Sequence, residues 1–354
     1  MKRTKKQTAT VASPAVDLVA LAEIAERFPS RTIVLLGDFV ADVFQYGEIT
    51  RVSREAPVLI LRHRETQLVP GGGANAANNF ASLGAKVIPI TTVGDDDPGV
   101  QLINAFRERH IDTSCIVRAK GWTTPTKTRF LAGWAHTVAQ QVLRVDYEPT
   151  HPLRETDRKK LRTALLAKIA RSDALAISDY GLGIVNLEDL RTAIGRIKKD
   201  IPITLDSRYR LTDYKRVGIT AATPNEAEME ALHHTVVGKN LIELERCASS
   251  TLSDLKLRSL LITRGKDGMA LFQKSSQPAH IPIYGSDQAV DVTGAGDTVL
   301  AAYTLALSSL ATPLEAAHIA NIAAGLVVMK RGTATVSRAE LLEAIHNCAS
   351  GTTP

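Results

Sequence analysis

The sequence predicts an α/β protein, built on a mostly parallel sheet covered by helices on both faces, with a small second β-sheet. Three observations carry this. From residue 155 onward, short apolar runs alternate with charged helical segments, the pattern of strands joined by crossover helices. Two glycine-rich turns, GGGANAANN at 71–79 and TGAGD at 293–297, each open a run of small helix formers. Residues 46–63 are β-prone and alternate in places, but Pro57 interrupts them, which suits an exposed sheet better than core strands.

In chain order, residues 1–14 read as a basic disordered tail and 15–28 (AVDLVALAEIAERF) as an amphipathic helix. TIVLLGDFVAD, 32–42, reads as a buried strand running into a loop with two acids. The 71–85 segment is a glycine turn opening a helix, and KVIPITTVGDD (86–96) is the next strand. A charged helix over 155–171 precedes the strand 173–181, and a helix near 186–199 precedes the strand 202–208. Strand 218–225, a helix near 226–233 and strand 259–265 continue the alternation. The segment 312–332 is a helix: Thr312 and Glu315 make a capping box, Pro313 takes the first helical position and Gly332 ends it.

Bulk properties exclude several classes. The chain has 354 residues and a formal charge of +6, of which Lys2, Arg3, Lys5 and Lys6 supply four. With aromatics at 5%, nothing resembles a basic groove with stacking platforms, so no nucleic-acid partner is expected. Cys115, Cys247 and Cys348 are far apart and form no CxxC pair, which suggests neither a disulfide framework nor a zinc site and fits a reducing cytoplasm. No apolar run approaches the ~20 residues of a membrane span, and Pro14 and Asp17 break any leader-like segment, so a soluble, cytoplasmic protein with no membrane partner is expected.

Ligands of open parallel sheets bind at the carboxyl ends of the strands. Five strands end there in polar residues: Asp38, Asp179, Asp206, Asn225 and Arg264. In TGAGD, Gly294 and Gly296 let a ligand approach the main chain, and successive N–H groups at the helix start form an anion-binding nest. The turn is not a Walker A loop, having no GxxxxGK[ST], nor a GxGxxG dinucleotide fingerprint. A capping role for Asp297 after a tight turn is the plainer alternative. Asn321, in the apolar middle of its helix, is either a buried amide bonded to backbone or a ligand contact.

GGGANAANN, TPNEAE and DVTGAGD occur in this order on an α/β pattern, and residues 31–345 thereby resemble the ribokinase-type (PfkB) carbohydrate kinases. The resemblance implies a three-layer α/β/α core over 29–350, a β-sheet lid from about 42–65 and 120–146, and transfer of the ATP γ-phosphate to a sugar hydroxyl. It implies Asp297 as catalytic base, with Gly294, Ala295 and Gly296 as the anion hole. Asn225 and Glu228 match the NxxE pattern that organises Mg2+ through water; nearby Glu226 is the rival, or else a solvated helix-start acid. Asp38, Asp42, Gly72, Gly73 and Asn75 match sugar-binding positions. Thr263, Arg264 and Gly265 resemble the loop on the ATP phosphates, and Asn321 and Ala324 fall in the adenine pocket. Asp291 and Thr293 match positions that carry a monovalent cation, such as K+, in several members.

Residues 37–85, with SDYGLG at 178–183, resemble the subgroup that phosphorylates the anomeric hydroxyl of D-glycero-β-D-manno-heptose 7-phosphate in lipopolysaccharide-core synthesis. A substrate that already bears phosphate needs cations, and the lid offers Arg51, Arg54, Arg62, Lys127 and Arg129; Arg129 and Asp179 join the candidate substrate contacts. Ordinary surface charge is the alternative for the lid cations. Extra residues around Trp134–Ala139, and no arginine before the glutamines at 140–141, depart from the subgroup. Another sugar, sugar phosphate or nucleoside therefore stays open as acceptor, and a non-catalytic binding protein is the more distant alternative. No HxGH motif is present, so nucleotide transfer to the product is expected to be another protein's work. The resemblance also implies a homodimer through the lid sheet. For the chemistry, a helix N-terminus is expected to lower the pKa of Asp297, giving a weak base that suffices for a loose transition state.

Overall fold

The computed structural model describes residues 16–134 and 138–349, so the predicted basic tail and part of the Trp134–Ala139 insertion lie outside the described residues. Helix α1 (Leu18–Glu26) leads into strand β1 (Thr32–Gly37), whose side chains alternate strictly between two cores. Ile33 and Leu35 enter one hydrophobic cluster, Val34 and Leu36 the other. Both faces of the strand are thus covered, which makes its sequence a continuous apolar run. Each such side chain removed from water contributes about 1.5–3 kcal/mol.

A single residue, Asp38, separates β1 from β2 (Phe39–Val52). The expected loop over the end of 32–42 is corrected here. The Asp38 carboxylate accepts three backbone amides, the chain turns within one residue, and Asp42 lies on a strand. β3 (Leu59–Gly72) returns antiparallel to β2 and runs straight into α2 (Gly73–Ser82). β4 (Lys86–Gly94), α3 (Asp97–Glu108) and β5 (Ile116–Ala119) follow, then β6 (Thr126–Gly133) and β7 (Gln140–Tyr147).

The second half alternates: α4 (Glu155–Ile169), β8 (Ala174–Asp179), α5 (Leu187–Ile194), β9 (Ile203–Ser207), β10 (Ala221–Ala222), α6 (Glu226–His233), α7 (Leu241–Leu255) and β11 (Ser259–Thr263). Strand 218–225 shrinks to two residues because Pro224 has no N–H to give a ladder and Asn225 is committed to capping α6. The chain closes with β12 (Met269–Gln273), β13 (Ala279–Ile281), α8 (Ala295–Ser308), α9 (Pro313–Val327) and α10 (Arg338–Ala349). The capping box of α9 forms as the sequence predicts, but the helix ends at Val327, not at Gly332. The Val328 carbonyl instead accepts the amides of Val290 and Asp291, which pins the loop ahead of α8.

Among the described residues, nine strands form one sheet in the order β13-β12-β11-β10-β9-β8-β1-β4-β5, parallel except where β12 joins its two neighbours. A separate four-stranded sheet, β3-β2-β6-β7, stands beyond the carboxyl ends of the parallel strands. α8 is buried on nearly its whole circumference, and its polar groups are satisfied inside: Thr304 bonds Thr204 at 2.6 Å, and Tyr303 donates to Ser259 at 2.8 Å. α1 packs against α10 and puts Leu21, Ile24 and Ala25 into the same cluster as α8 and α9.

Candidate active site

A cleft of about 830 Å3 opens at the carboxyl ends of β8, β9, β10 and β11, with the lid strands on one side and the start of α8 at its floor. It contains both glycine turns' cleft-facing residues, Gly71 and Gly72 from the first and Thr293 to Asp297 from the second. The parallel sheet therefore brings together segments more than 200 residues apart.

Gly294, at φ +79°, caps α8, and a Cβ there would sit 2.5 Å from Asn75 Nδ2. No other residue fits that position. Gly296 is different: nothing lies within 4 Å of where its Cβ would be, so the space beside the α8 amides is open to a ligand. The positive end of the helix dipole faces that space, a site suited to a phosphoryl group, although the Ala295 N–H at the helix start donates to the Val292 carbonyl at 3.2 Å.

Asp297, 4% exposed, is held on both oxygens. Asn75 Nδ2 donates to Oδ2 at 2.8 Å and the Tyr180 hydroxyl to Oδ1 at 3.3 Å. Asn75 is itself fixed from behind. Asn79, one turn further along α2, donates to the Asn75 carbonyl and side-chain oxygens at 3.0 and 3.3 Å, while Thr298 donates to Asn79 Oδ1 at 2.9 Å. These bonds set which end of each amide faces which neighbour. Burial pushes the Asp297 carboxyl up to about 7, against the opposing pull of the Asn75 and Tyr180 donors. The expectation of a lowered pKa is corrected: loss of water outweighs the helix terminus. A base titrating near 7 is better matched to accepting a hydroxyl proton than a strong acid would be.

On the lid side, Asp42 lines the cleft and forms an ion pair with Arg129 at 2.6 Å, both largely buried. Arg129 thus carries a counter-charge of its own. Asp38 does not line the cleft. Its carboxylate lies beneath it and accepts the amides of Tyr180, Leu182 and Ile184 at 2.9, 3.0 and 3.1 Å, so that it anchors the loop after β8. Burial, with Asp179 adding repulsion and the three amides opposing, raises its pKa to about 6. Asp179 lines the cleft, accepts from Gly181 N at 2.9 Å and takes the Tyr214 hydroxyl at 2.6 Å. Gly72 lines the cleft, whereas Gly73 lies behind it and donates to the Asp38 carbonyl at 3.0 Å.

On the opposite side, Asn225 and Glu228 make the capping box of α6, at 2.8 and 2.9 Å, and both line the cleft. Glu226 is not a solvated acid: it binds Arg264 Nε at 2.7 Å, and Arg264 also reaches the Gly238 carbonyl, so its guanidinium is spoken for. Thr263, Gly265, Asn321 and Ala324 line the cleft as well, and the Asn321 amide donates to the Pro282 carbonyl at 2.8 Å. Asp291 sits just outside, accepting Thr293 N at 2.9 Å and Gly332 N at 3.0 Å; burial raises its pKa, but these donors outweigh it and leave it below the ordinary carboxylate range. The buried hydroxyls of Thr223 and Thr333, also in the wall, have no hydrogen-bond partner among the described residues, which marks the cleft as built for a polar ligand.

A model of the pfkB family of carbohydrate kinases matches residues 30–340. The chain belongs to that family. It is a phosphotransferase with an alcohol acceptor, on a ribokinase-like fold. Among curated relatives, the bifunctional protein HldE of Pelobacter propionicus is 34% identical over 332 residues, 93% of this chain and 66% of that protein. HldE of Gluconobacter oxydans is 39% identical over 312 residues, 87% of this chain and 63% of that protein. The chain thus spans about two thirds of the length of these relatives. Phosphofructokinase-2 of Escherichia coli, solved with potassium, superposes with a TM-score of 0.73 at 20% identity, covering 90% of this chain and 99% of that one. Ribokinase of Arabidopsis thaliana, solved with ribose and ATP, gives 0.69 at 19% identity, covering 89% and 98%. At these identities the two structures speak for the fold.

Five residues of this kinase site escape motif reading. Tyr180, Asp206 and Arg208 follow or end strands, Arg144 comes from β7, and Asn79 stands behind Asn75. For Asn79 the signal was present, since its spacing of four from Asn75 puts both on one helix face. For Asp206 the sequence shows the strand-end position but no role. In the structure burial, with Glu228 and Asp297 repelling it, pushes its pKa well up.

Proposed function

We propose that this kinase transfers the γ-phosphate of ATP to the anomeric hydroxyl of D-glycero-β-D-manno-heptose 7-phosphate, and that Asp297 is the base. The observation that carries the reaction is a buried carboxylate, titrating near 7, beside the open helix start at Gly296. The HldE relatives and the lid run at 37–85 support the sugar.

In this reading the sugar hydroxyl oxygen attacks the γ-phosphorus in line, the bond to the bridging oxygen of ADP breaks, and the hydroxyl proton passes to Asp297. Asn75 and Tyr180 hold the carboxylate in aim, which is positioning rather than proton transfer. The start of α8 at Gly294, Ala295 and Gly296 receives the charge on the moving group, with the Ala295 N–H shared with the Val292 carbonyl. Asp42, with Arg129 behind it, binds sugar hydroxyls from the lid side. Thr263 and Gly265 line the phosphate side, and Asn321 and Ala324 the adenine side.

Mg2+, bound through water near Glu228, Asn225 and Asp206, would neutralise phosphate charge. Glu228 and Asp206 fit it, because burial and, for Asp206, repulsion from Glu228 raise both pKa values and a cation relieves that cost. The Asp291–Thr293 turn is the proposed K+ position. A homodimer through the lid is supported by exposed apolar residues on its edge strands, Leu59 on β3 and Val142 and Leu143 on β7. A monomeric mass in solution would remove that part.

The test is ADP release measured over phosphorylated and free sugars with Mg2+ and ATP. Turnover that is fastest on the heptose 7-phosphate, with a 1,7-bisphosphate product, is the expected result. Faster turnover on another acceptor replaces the sugar and leaves the base in place, and no ADP release on any acceptor sinks the catalytic reading.

A further inference from the structure

Of the lid cations Arg51, Arg54, Arg62, Lys127 and Arg129, two reach the cleft, Lys127 and Arg129, and Arg129 is already paired with Asp42. Lys127, and with it Arg208 just after β9, is in the opposite condition. A second cavity of about 220 Å3 adjoins the cleft between lid strands β6 and β7 and the loops after β8 and β9. Lys127 and Arg208 line both spaces. Among the described residues neither has a carboxylate within ion-pair distance. Lys127 Nζ lies 5.4 Å over the Tyr180 ring, and the Arg208 guanidinium 5.3 Å over the Tyr209 ring.

An ammonium held half-buried on an aromatic face, with no counter-ion, is costly unless an anion arrives. The two cations are close enough to be felt: burial draws the Lys127 pKa down, Asp42 and Asp146 oppose it from beyond ion-pair distance, and Arg208 adds to the lowering. Of the cavity's other charges, Arg144 and Asp146 neutralise each other at 2.9 Å and Glu148 is exposed. The net character of the cavity is cationic.

Tyr180 joins this cavity to the chemistry. Its ring carries Lys127 and its hydroxyl holds Asp297 at 3.3 Å. A ligand with a reacting hydroxyl at one end and a dianion at the other fits across that one side chain. We propose that Lys127 and Arg208 form the subsite for the phosphate of a phosphorylated sugar acceptor, beyond Tyr180 and apart from the γ-phosphate position. This inference rests on the reading above that the acceptor carries a phosphate.

The experiment uses the full chain with Mg2+ and ATP. It compares D-glycero-β-D-manno-heptose 7-phosphate, or the best phosphosugar of the acceptor screen, with its unphosphorylated parent. Wild type is expected to prefer the phosphosugar. In Lys127→Met and in Arg208→Met the ratio of kcat/KM between the two sugars should fall about tenfold or more, chiefly through KM for the phosphosugar. Lys127→Arg should restore most of it, and unchanged melting curves exclude loss of fold as the cause.

If both Met variants keep the wild-type preference, the subsite is wrong while the kinase reading stands. If instead KM for ATP rises equally with either sugar, the cations serve the nucleotide and the subsite is again overturned. A wild type that shows no preference for any phosphosugar over its parent overturns the acceptor reading and the subsite together.

Discussion

The turn between β1 and β2 and the start of α8 each bury an aspartate, and the two have opposite fates. Asp38, fully buried, accepts three backbone amides from the loop after β8 and leaves no path to the cleft. Asp297 accepts one side-chain amide and one phenol and faces open space beside Gly296. Burial raises both pKa values, to about 6 and about 7. The kind of donor therefore separates them. Backbone amides make a carboxylate part of the scaffold, whereas side-chain donors hold it in aim and leave it free to exchange a proton.

The largest effect should come from breaking the proposed base. Asp297→Asn is expected to lower kcat by about a thousandfold or more while ATP and sugar still bind, since the amide keeps the shape but accepts no proton. Steady-state ADP release and equilibrium binding check this, and near-wild-type turnover would return Asp297 to the role of a cap. The structural partner should fail differently. Asp38→Ala leaves three buried amides without an acceptor and should cost about 3 kcal/mol in urea unfolding. A loss of kcat with unchanged stability would show that Asp38 works in the site after all.

A smaller effect tests the wiring behind the base. Asn79→Ala frees Asn75 to rotate, which weakens the donor that holds the Asp297 pKa down. The kcat is expected to fall about tenfold and the acid limb of its pH profile to move to higher pH. An unshifted limb would make Asn79 merely structural. In wild type that limb should have its midpoint near pH 7, rising with pH as Asp297 ionises.

The smallest effect is on stability. Both carboxyls bind protons more tightly in the folded chain than in the unfolded one. Their contribution to stability is therefore full below about pH 4 and is lost as pH rises through 6 and 7. Asp297→Asn removes its share, so the variant's urea midpoint should fall less than that of wild type between pH 5 and 8.

Much of this was legible beforehand. Strand–helix alternation gave the parallel sheet, because both faces of each strand are covered and apolar runs follow. The TGAGD turn announced its function because glycine is the residue that fits a positive φ against Asn75. The α9 capping box is a local arrangement of four residues, and local chemistry is readable. The anchoring role of Asp38 is not legible, because a motif records that an acid is present and not how many amides point at it. The pairing of Arg129 with Asp42 is not legible either, because it joins residues 87 apart.

The sequence by itself determined the architecture, the glycine turn at 293–297 and the capping of its helices, all of which depend on neighbours within a few residues or on periodicity. Tertiary structure alone decided which charges remain available. Asp297 gains its basicity from burial, Arg129 and Arg264 lose their freedom to carboxylates from other segments, and Lys127 and Arg208 are left facing a cavity with no ion-pair partner among the described residues. Solvation and charge pairing act through space over a few ångströms, and the spacing of letters along a chain does not carry that distance.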